Sequence, residues 1–195
     1  MGRTTLTELY QSLAPLRHIR RFQLFPTVRA ASVAEHCYYT ALLAGQLAAL
    51  LPRHRGILVR VDRARIIETA LWPDAAEAIL GDLPHTVKRE FPQVGKIWDR
   101  TEAQVLRHLK QTLNGGAPAP LRSLESLVVK MADCAELLLY CDAEWQLGNT
   151  HLQGASARIW AILDQTLLHR FGSYGLKHWA RGILTYLPQQ GRGRE

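Results

Sequence analysis

Three cysteines, Cys37, Cys134 and Cys141, are all that 195 residues contain, and no two of them make a CxxC pair. An odd, sparse set excludes a disulfide framework and a four-thiolate zinc site. Long apolar runs are also missing. The longest, Ala41 to Leu51, is broken by Gly45 and Gln46, short of the roughly 20 residues that cross a bilayer. Met1 to Glu8 hold no apolar heart of a secretory signal, so a reducing cytoplasm and no membrane association are expected. Alternating apolar and polar stretches of useful length are absent, as is any internal repeat, which excludes sheet and solenoid architectures. Acids are the minority charge: 17 Asp and Glu face 24 Lys and Arg, a formal net charge of +7. That bias suits an anionic small substrate and a weak nucleic-acid binder alike.

What is present is helical periodicity. Leu6, Leu9, Leu13 and Leu16 recur at threes and fours from Thr5 to Ile19, with Thr4 or Thr5 as cap and Pro15 expected to bend or restart the helix. Ser32 stands three before Glu35, a capping box for a helix over Val33 to Leu51. Val61-Asp62 opens the next, with Ile66, Ile67, Ala70 and Leu71 as its stripe, and Pro73 ends or kinks it. A short helix over Asp74 to Leu80 stops at Gly81. Asp82 to His85 reads as loop, followed by a polar segment and a helix over Val94 to Leu113. Asn114 to Pro120 is loop, and helices are expected over Leu121–Leu147, His151–Phe171 and Gly175–Tyr186. The expectation is an all-α, single-domain bundle of seven to nine helices over residues 1–188, with 189–195 a basic tail that has nothing to bury.

Within that frame a few polar residues sit among apolar neighbours. Asp74, Glu77 and Asp82 fall inside Ala70 to Pro84, and Asp74 and Glu77, three apart, share a helix face. Such paired carboxylates serve a metal site or a general acid, or form a solvated acidic face. His36 lies near the start of the second helix. Asp133 lies mid-helix in Val128 to Glu136, where a carboxylate costs several kcal/mol unless paired or metal-bound. Imidazole and carboxylates together suit Zn, Mn, Co or Fe. Spacing alone does not say that His36, Asp74 and Asp133 meet.

From about Arg17 to Asn149 the chain resembles the HD-domain phosphohydrolases, in particular their bacterial 5′-deoxynucleotidase branch, with phage deoxyadenosine triphosphohydrolases as nearby relatives. The stretches that carry the resemblance are Ile19-Arg-Arg-Phe22, Val28-Arg29, Ser32-Val-Ala-Glu-His36, Asp74 to Pro84 with Val87-Lys88, and Val129-Lys-Met-Ala-Asp133. It implies an α-helical bundle and a divalent metal ion (Co, Mn, Zn or Fe). The implied substrate is a 2′-deoxyribonucleotide, a monophosphate before a triphosphate, and a homodimer is implied as well. By position, His36, Asp74 and Asp133 match metal ligands, and Glu77 matches the acid that protonates the leaving O5′ or orients water. Arg21 matches a phosphate-binding arginine, Phe22 the aromatic that excludes a ribose 2′-OH, and Asp82 the carboxylate that holds the 3′-OH. Lys88, Lys130 and His85 have no role fixed by the resemblance, and solvated side chains are the plainer expectation for the lysines.

One position departs from the pattern. The family has histidine directly before this aspartate, as a fourth ligand, where this chain has Pro73. Proline offers no donor, yet it is tolerated at a helix junction. The expectation is therefore a metal-dependent deoxynucleotide phosphohydrolase. The alternatives are a nucleotide-binding relative with impaired catalysis and, third, a helical nucleic-acid binder.

Overall fold

Capping chemistry starts the helices. A computed structural model describes residues 5–52, 61–112, 121 and 123–192. Thr5 caps α1 (Leu6–Leu13) and Ser32 caps α2 (Val33–Leu50), each in a full capping box with Glu8 or Glu35. Asp62 caps α3 (Arg63–Ala70) through the Arg65 N–H. Pro15 does restart the first helix, as a 3-10 turn over Ala14–Arg17. Among the described residues the only sheet-like pairing is an isolated antiparallel bridge between Arg20 and Ser32.

Three segments differ from the sequence-based expectation. The short helix is confined to α4 (Glu77–Leu80), and Asp74 lies in the turn before it. Leu71 and Trp72 close α3 through three-residue bonds to Glu68 and Thr69, and Pro73, lacking an N–H, cannot continue the ladder. Residues read as loop and polar linker form α5 (His85–Glu90), and α6 (Pro92–Thr112) starts earlier than expected. Here tertiary packing overrides weak local propensity: Lys88 reaches back from α5 to Asp99 at 3.0 Å and Glu102 at 3.4 Å on α6. The helical run after His151 is α8 (Gln153–Ala161), a π-helical stretch over Ile162–Leu167, and α9 (Leu168–Gly172). The expected loop at Asn114 to Pro120 lies outside the described residues.

The centre of the bundle is α7 (Ser123–Gln146), packed against α2, which in turn packs on α3. Small residues of α2, Ala41, Ala44 and Ala48, are buried against Val128, Met131, Ala132 and Leu138 of α7. Gly45 has to be small because a Cβ there would sit 2.7 Å from Ile67 of α3. Cys134 and Cys141 are free, buried core residues of α7, and Cys37 is buried on α2. Helix α10 (Lys177–Leu184) closes the base, with Trp179 donating from Nε1 to the Leu50 carbonyl. Part of the tail expected to have nothing to bury is seated: Arg192 pairs with Asp164 at 2.8 Å and lies 4.3 Å over the Trp160 ring. Residues 193–195 lie outside the described residues.

The loop between the 3-10 turn and α2 is pinned from below. Glu144, 1% exposed near the end of α7, accepts from the backbone N–H groups of Val28 and Arg29, both at 2.7 Å, and from Asn149. Burial works against its charge, but these donors outweigh burial and hold its pKa below the usual carboxylate value. Glu144→Leu should leave buried donors unpaired and cost about 3 kcal/mol in urea unfolding. The stabilisation from Glu144 is present above the unfolded carboxylate pKa and is lost as acidification passes the lowered folded value. The parent should therefore lose more stability than the variant on acidification.

Candidate active site

Four segments meet over one face of α7. The bridged loop brings Arg21 and Phe22, α2 brings His36, the α3–α4 turn and the first residue of α4 bring Asp74 and Glu77, and α7 brings Asp133. The backbone bonds Arg21 N–H to Ala31 and Val33 N–H to Ile19 fix the loop. Phe22 takes a left-handed φ of 54°, which costs a non-glycine residue roughly 1–2 kcal/mol. It is held there by stacking on Tyr140 of α7, 5.1 Å between centroids, while the Tyr140 hydroxyl donates to the Arg29 carbonyl.

His36 is buried, and both ring nitrogens are engaged. Its Nε2 lies 3.2 Å from Asp133 Oδ1 and 3.5 Å from Asp74 Oδ2, while Nδ1 makes a short hydrogen bond with Glu136. Arg21 stands 3.6 Å from Asp74 and 3.8 Å from Glu77. Lys130 pairs with Asp133 from one helical turn away. The fold brings His36, Asp74 and Asp133 together. Glu136 and Tyr140 were not singled out beforehand; the available signal was their place on the Asp133 face of α7, three and seven residues on.

These residues divide two cavities. One of 410 Å³ is lined by Arg21, Phe22, Asp74, Glu77, Asp82 and Lys130, and also by His85, Lys88 and Ile162 of the π-helical stretch. The other, of 340 Å³, lies against His36, Thr40, Thr69, Asp74 and Asp133. Pro73 lines both. Asp82 follows Gly81, whose φ of 76° ends α4 and turns the chain towards the larger cavity. Gln23 donates to the Asp82 carbonyl at 3.3 Å.

Charge in this region is strongly coupled. Burial opposes the charged form of His36, but hydrogen bonds that its ring donates to Asp133 and Glu136 raise its pKa to about 9. Burial likewise opposes ionisation of Asp133, yet His36 and Lys130 hold it well below the carboxylate range. Glu77 goes the other way: burial, then the neighbouring Asp74 and Asp82, lift it to about 8 against the pull of Arg21. Its Oε2 is buried with no hydrogen-bond partner among the described residues. Glu77 is thus a protonated acid at neutral pH, suited to giving a proton to a leaving oxygen. Asp82 is also raised, first by burial.

The donor set can be tested for a metal. Bonds of about 2.0–2.1 Å arranged tetrahedrally leave neighbouring ligand atoms about 3.3 Å apart. The 3.2 and 3.5 Å separations from His36 Nε2 match such edges. As the side chains stand, no three His, Cys, Asp or Glu groups among the described residues close into a ligand set, and Pro73 supplies no fourth corner. The chemistry of His36, Asp74 and Asp133, one imidazole nitrogen with a carboxylate oxygen on either side at 3.2 and 3.5 Å, fits a divalent cation once the side chains shift to close on it, with the remaining positions left to water or substrate oxygen.

The family model described as YfbR-like 5′-deoxynucleotidase matches residues 8–177. The chain is 29% identical over 174 residues to a 5′-deoxynucleotidase of Photorhabdus temperata, covering 85% of each chain. The same identity and coverage hold for a 5′-deoxynucleotidase of Yersinia pestis (strain Pestoides F). Among solved structures, a conserved hypothetical protein of Pyrococcus furiosus superposes with a TM-score of 0.68 at 21% identity, over 92% of this chain and 99% of that one. An HD phosphohydrolase of cyanophage S-2L, bound to dA and one catalytic Zn²⁺ ion, superposes with a TM-score of 0.61 at 21% identity over 95% of each chain. Those two likenesses carry the fold: an all-α bundle of the HD type.

The raised pKa of Glu77 has a consequence for stability. Its folded value of about 8 lies above the unfolded value near 4.5, so its contribution is complete below the unfolded value and is lost as pH rises towards 8. Glu77→Gln should raise the Tm of the metal-free protein at pH 8 and change it little at pH 4. A thermal-melt series across that range measures the difference.

Proposed function

The chain belongs to the YfbR-like 5′-deoxynucleotidase family, and from that membership we propose that it is a metal-dependent phosphohydrolase of 2′-deoxyribonucleoside 5′-monophosphates. The observation that carries the reading is the convergence of His36, Asp74 and Asp133 beside Arg21 and the proton-bearing Glu77, where Asp74 and Asp133 face both the 410 Å³ cavity and the 340 Å³ cavity that His36 lines. The named activity of the Photorhabdus and Yersinia relatives, and the dA and Zn²⁺ in the cyanophage structure, support the same substrate class and a divalent cofactor.

In this reading His36, Asp74 and Asp133 hold the divalent ion. That ion supplies Lewis-acid activation of water and of a phosphoryl oxygen. Arg21 offers its planar fork to the phosphate, leaving its carboxylate neighbours as the phosphate enters. Glu77 donates its proton to the departing O5′, so the leaving group departs as a neutral hydroxyl. Phe22, braced on Tyr140, packs against the sugar and leaves no room for a 2′-OH. Asp82 accepts from the 3′-OH. Arg21, Phe22, Asp74, Glu77, Asp82 and Asp133 line the same cavity, so substrate binding and proton transfer share one chamber. Lys88, held by Asp99 and Glu102, and Lys130, held by Asp133, add positive potential on the phosphate side.

Pro73 sets the strength of the ion site. Losing even an indirect partner of a metal ligand costs about 10–100-fold in affinity, and here a direct ligand is replaced. Purified protein supplied with Mn²⁺ or Co²⁺ should release phosphate from deoxynucleoside monophosphates faster than from their ribonucleotide counterparts. Release from no deoxynucleotide would sink the reading. Pro73→His should tighten metal binding by about 10–100-fold, read by calorimetry, and raise the rate at low metal. Arg21→Ala should lower kcat/KM by roughly 100-fold, in the range of a lost charge-stabilising donor.

A further inference from the structure

With Pro73 in place of a histidine, His36 is the nitrogen donor of the set formed with Asp74 and Asp133. How its ring is turned therefore matters more here than in a site with two imidazoles. The ring stands on α2, is 5% exposed at the side chain, and meets α7 along both edges. Asp133 faces Nε2, and Glu136, one turn further along the same helix, faces Nδ1. The Glu136 side chain is itself only 12% exposed. It lies across the ring from the edge shared by Asp74 and Asp133, so it is not a ligand to the same ion and acts only through His36.

We propose that Glu136 is a positioning residue of the ion site: it keeps the proton of His36 on Nδ1 and turns the Nε2 lone pair towards Asp74 and Asp133. Without an ion the ring faces carboxylates through both nitrogens; an ion that displaces the Nε2 proton leaves one N–H, and the atom that accepts it decides which nitrogen is free. A carboxylate on Nδ1 fixes that choice, restrains rotation of the ring and makes Nε2 a stronger donor. The same helix thus supplies one ligand, Asp133, and the partner of another, so the two donors move as one unit. This rests on the metal-dependent reading above.

The test compares the parent with Glu136→Ala and Glu136→Gln, each also made in the Pro73→His background, which provides a tighter site. Titration calorimetry with Mn²⁺ and Zn²⁺ should show Glu136→Ala weakened by about 10–100-fold. Glu136→Gln, which keeps an oxygen acceptor for Nδ1–H without the charge, should fall between it and the parent. In ¹⁵N-histidine-labelled, Zn²⁺-loaded protein, the parent should show a downfield imidazole N–H proton assigned to Nδ1 of His36. That signal should disappear in Glu136→Ala while circular dichroism and Tm stay close to the parent. Equal ion affinity with and without Glu136 would overturn the proposal. So would equal losses in the Ala and Gln variants with the N–H signal unchanged, which would mark a merely structural role. If neither the parent nor Pro73→His binds an ion, the metal-dependent reading fails and this inference with it; ion binding that ignores Glu136 removes the inference alone.

Discussion

Everything in the site hangs on a buried imidazole held between two carboxylates of one helix. His36 enters from α2 and is met by Asp133 and Glu136 of α7. A charged or strongly polar group at that depth is costly unless its hydrogen bonds are satisfied. The His36–α7 contacts provide that satisfaction, so the α2–α7 pair is both the core of the bundle and the frame of the site. Small residues on α2 let the helices come close. That closeness brings the His36 ring within reach of carboxylates three residues apart.

The same helix face continues the pattern along its length. Lys130, Asp133, Glu136, Tyr140 and Glu144 recur at threes and fours. Lys130 pairs with Asp133, Tyr140 stacks on Phe22, and Glu144 holds the backbone of Val28 and Arg29. One polar stripe on the central helix therefore organises the proposed ion donors, the aromatic wall and the loop carrying Arg21. Loops that carry functional side chains are reliable only when a rigid element fixes them. Here α7 is that element.

Pro73 changes the balance of this arrangement without disturbing it. Helix α3 already ends at Ala70, and the turn that follows is closed by the Ala75 N–H bonding to the Trp72 carbonyl. A proline between them removes a donor side chain and leaves the path of the chain alone. In the proposed ion site the three donors, His36, Asp74 and Asp133, are richer in oxygen than a site with two imidazoles. Such a set would favour harder divalent ions such as Mn²⁺ over those that prefer nitrogen. It also leaves more of the surroundings of the ion to water and substrate.

By itself the sequence determined the all-α class, most helix starts and the roster of residues with chemistry to offer. These are local matters: Thr5, Ser32 and Asp62 bond N–H groups within three residues, and apolar periodicity needs no distant partner. The family resemblance added which of those residues share a site, His36, Asp74 and Asp133 among them. Tertiary structure alone decided the rest. The helix α5 was illegible because its polar residues form a helix only against α6, through Lys88 with Asp99 and Glu102. The role of Glu136 is hidden because its place on the Asp133 face of α7 says nothing of its partner until a histidine 100 positions away is laid against it. The proton on Glu77 was equally hidden, since it arises from burial and from Asp74 and Asp82 nearby. Propensity and periodicity act over a few bonds, whereas pKa, ring orientation and ion geometry depend on groups brought together only by folding.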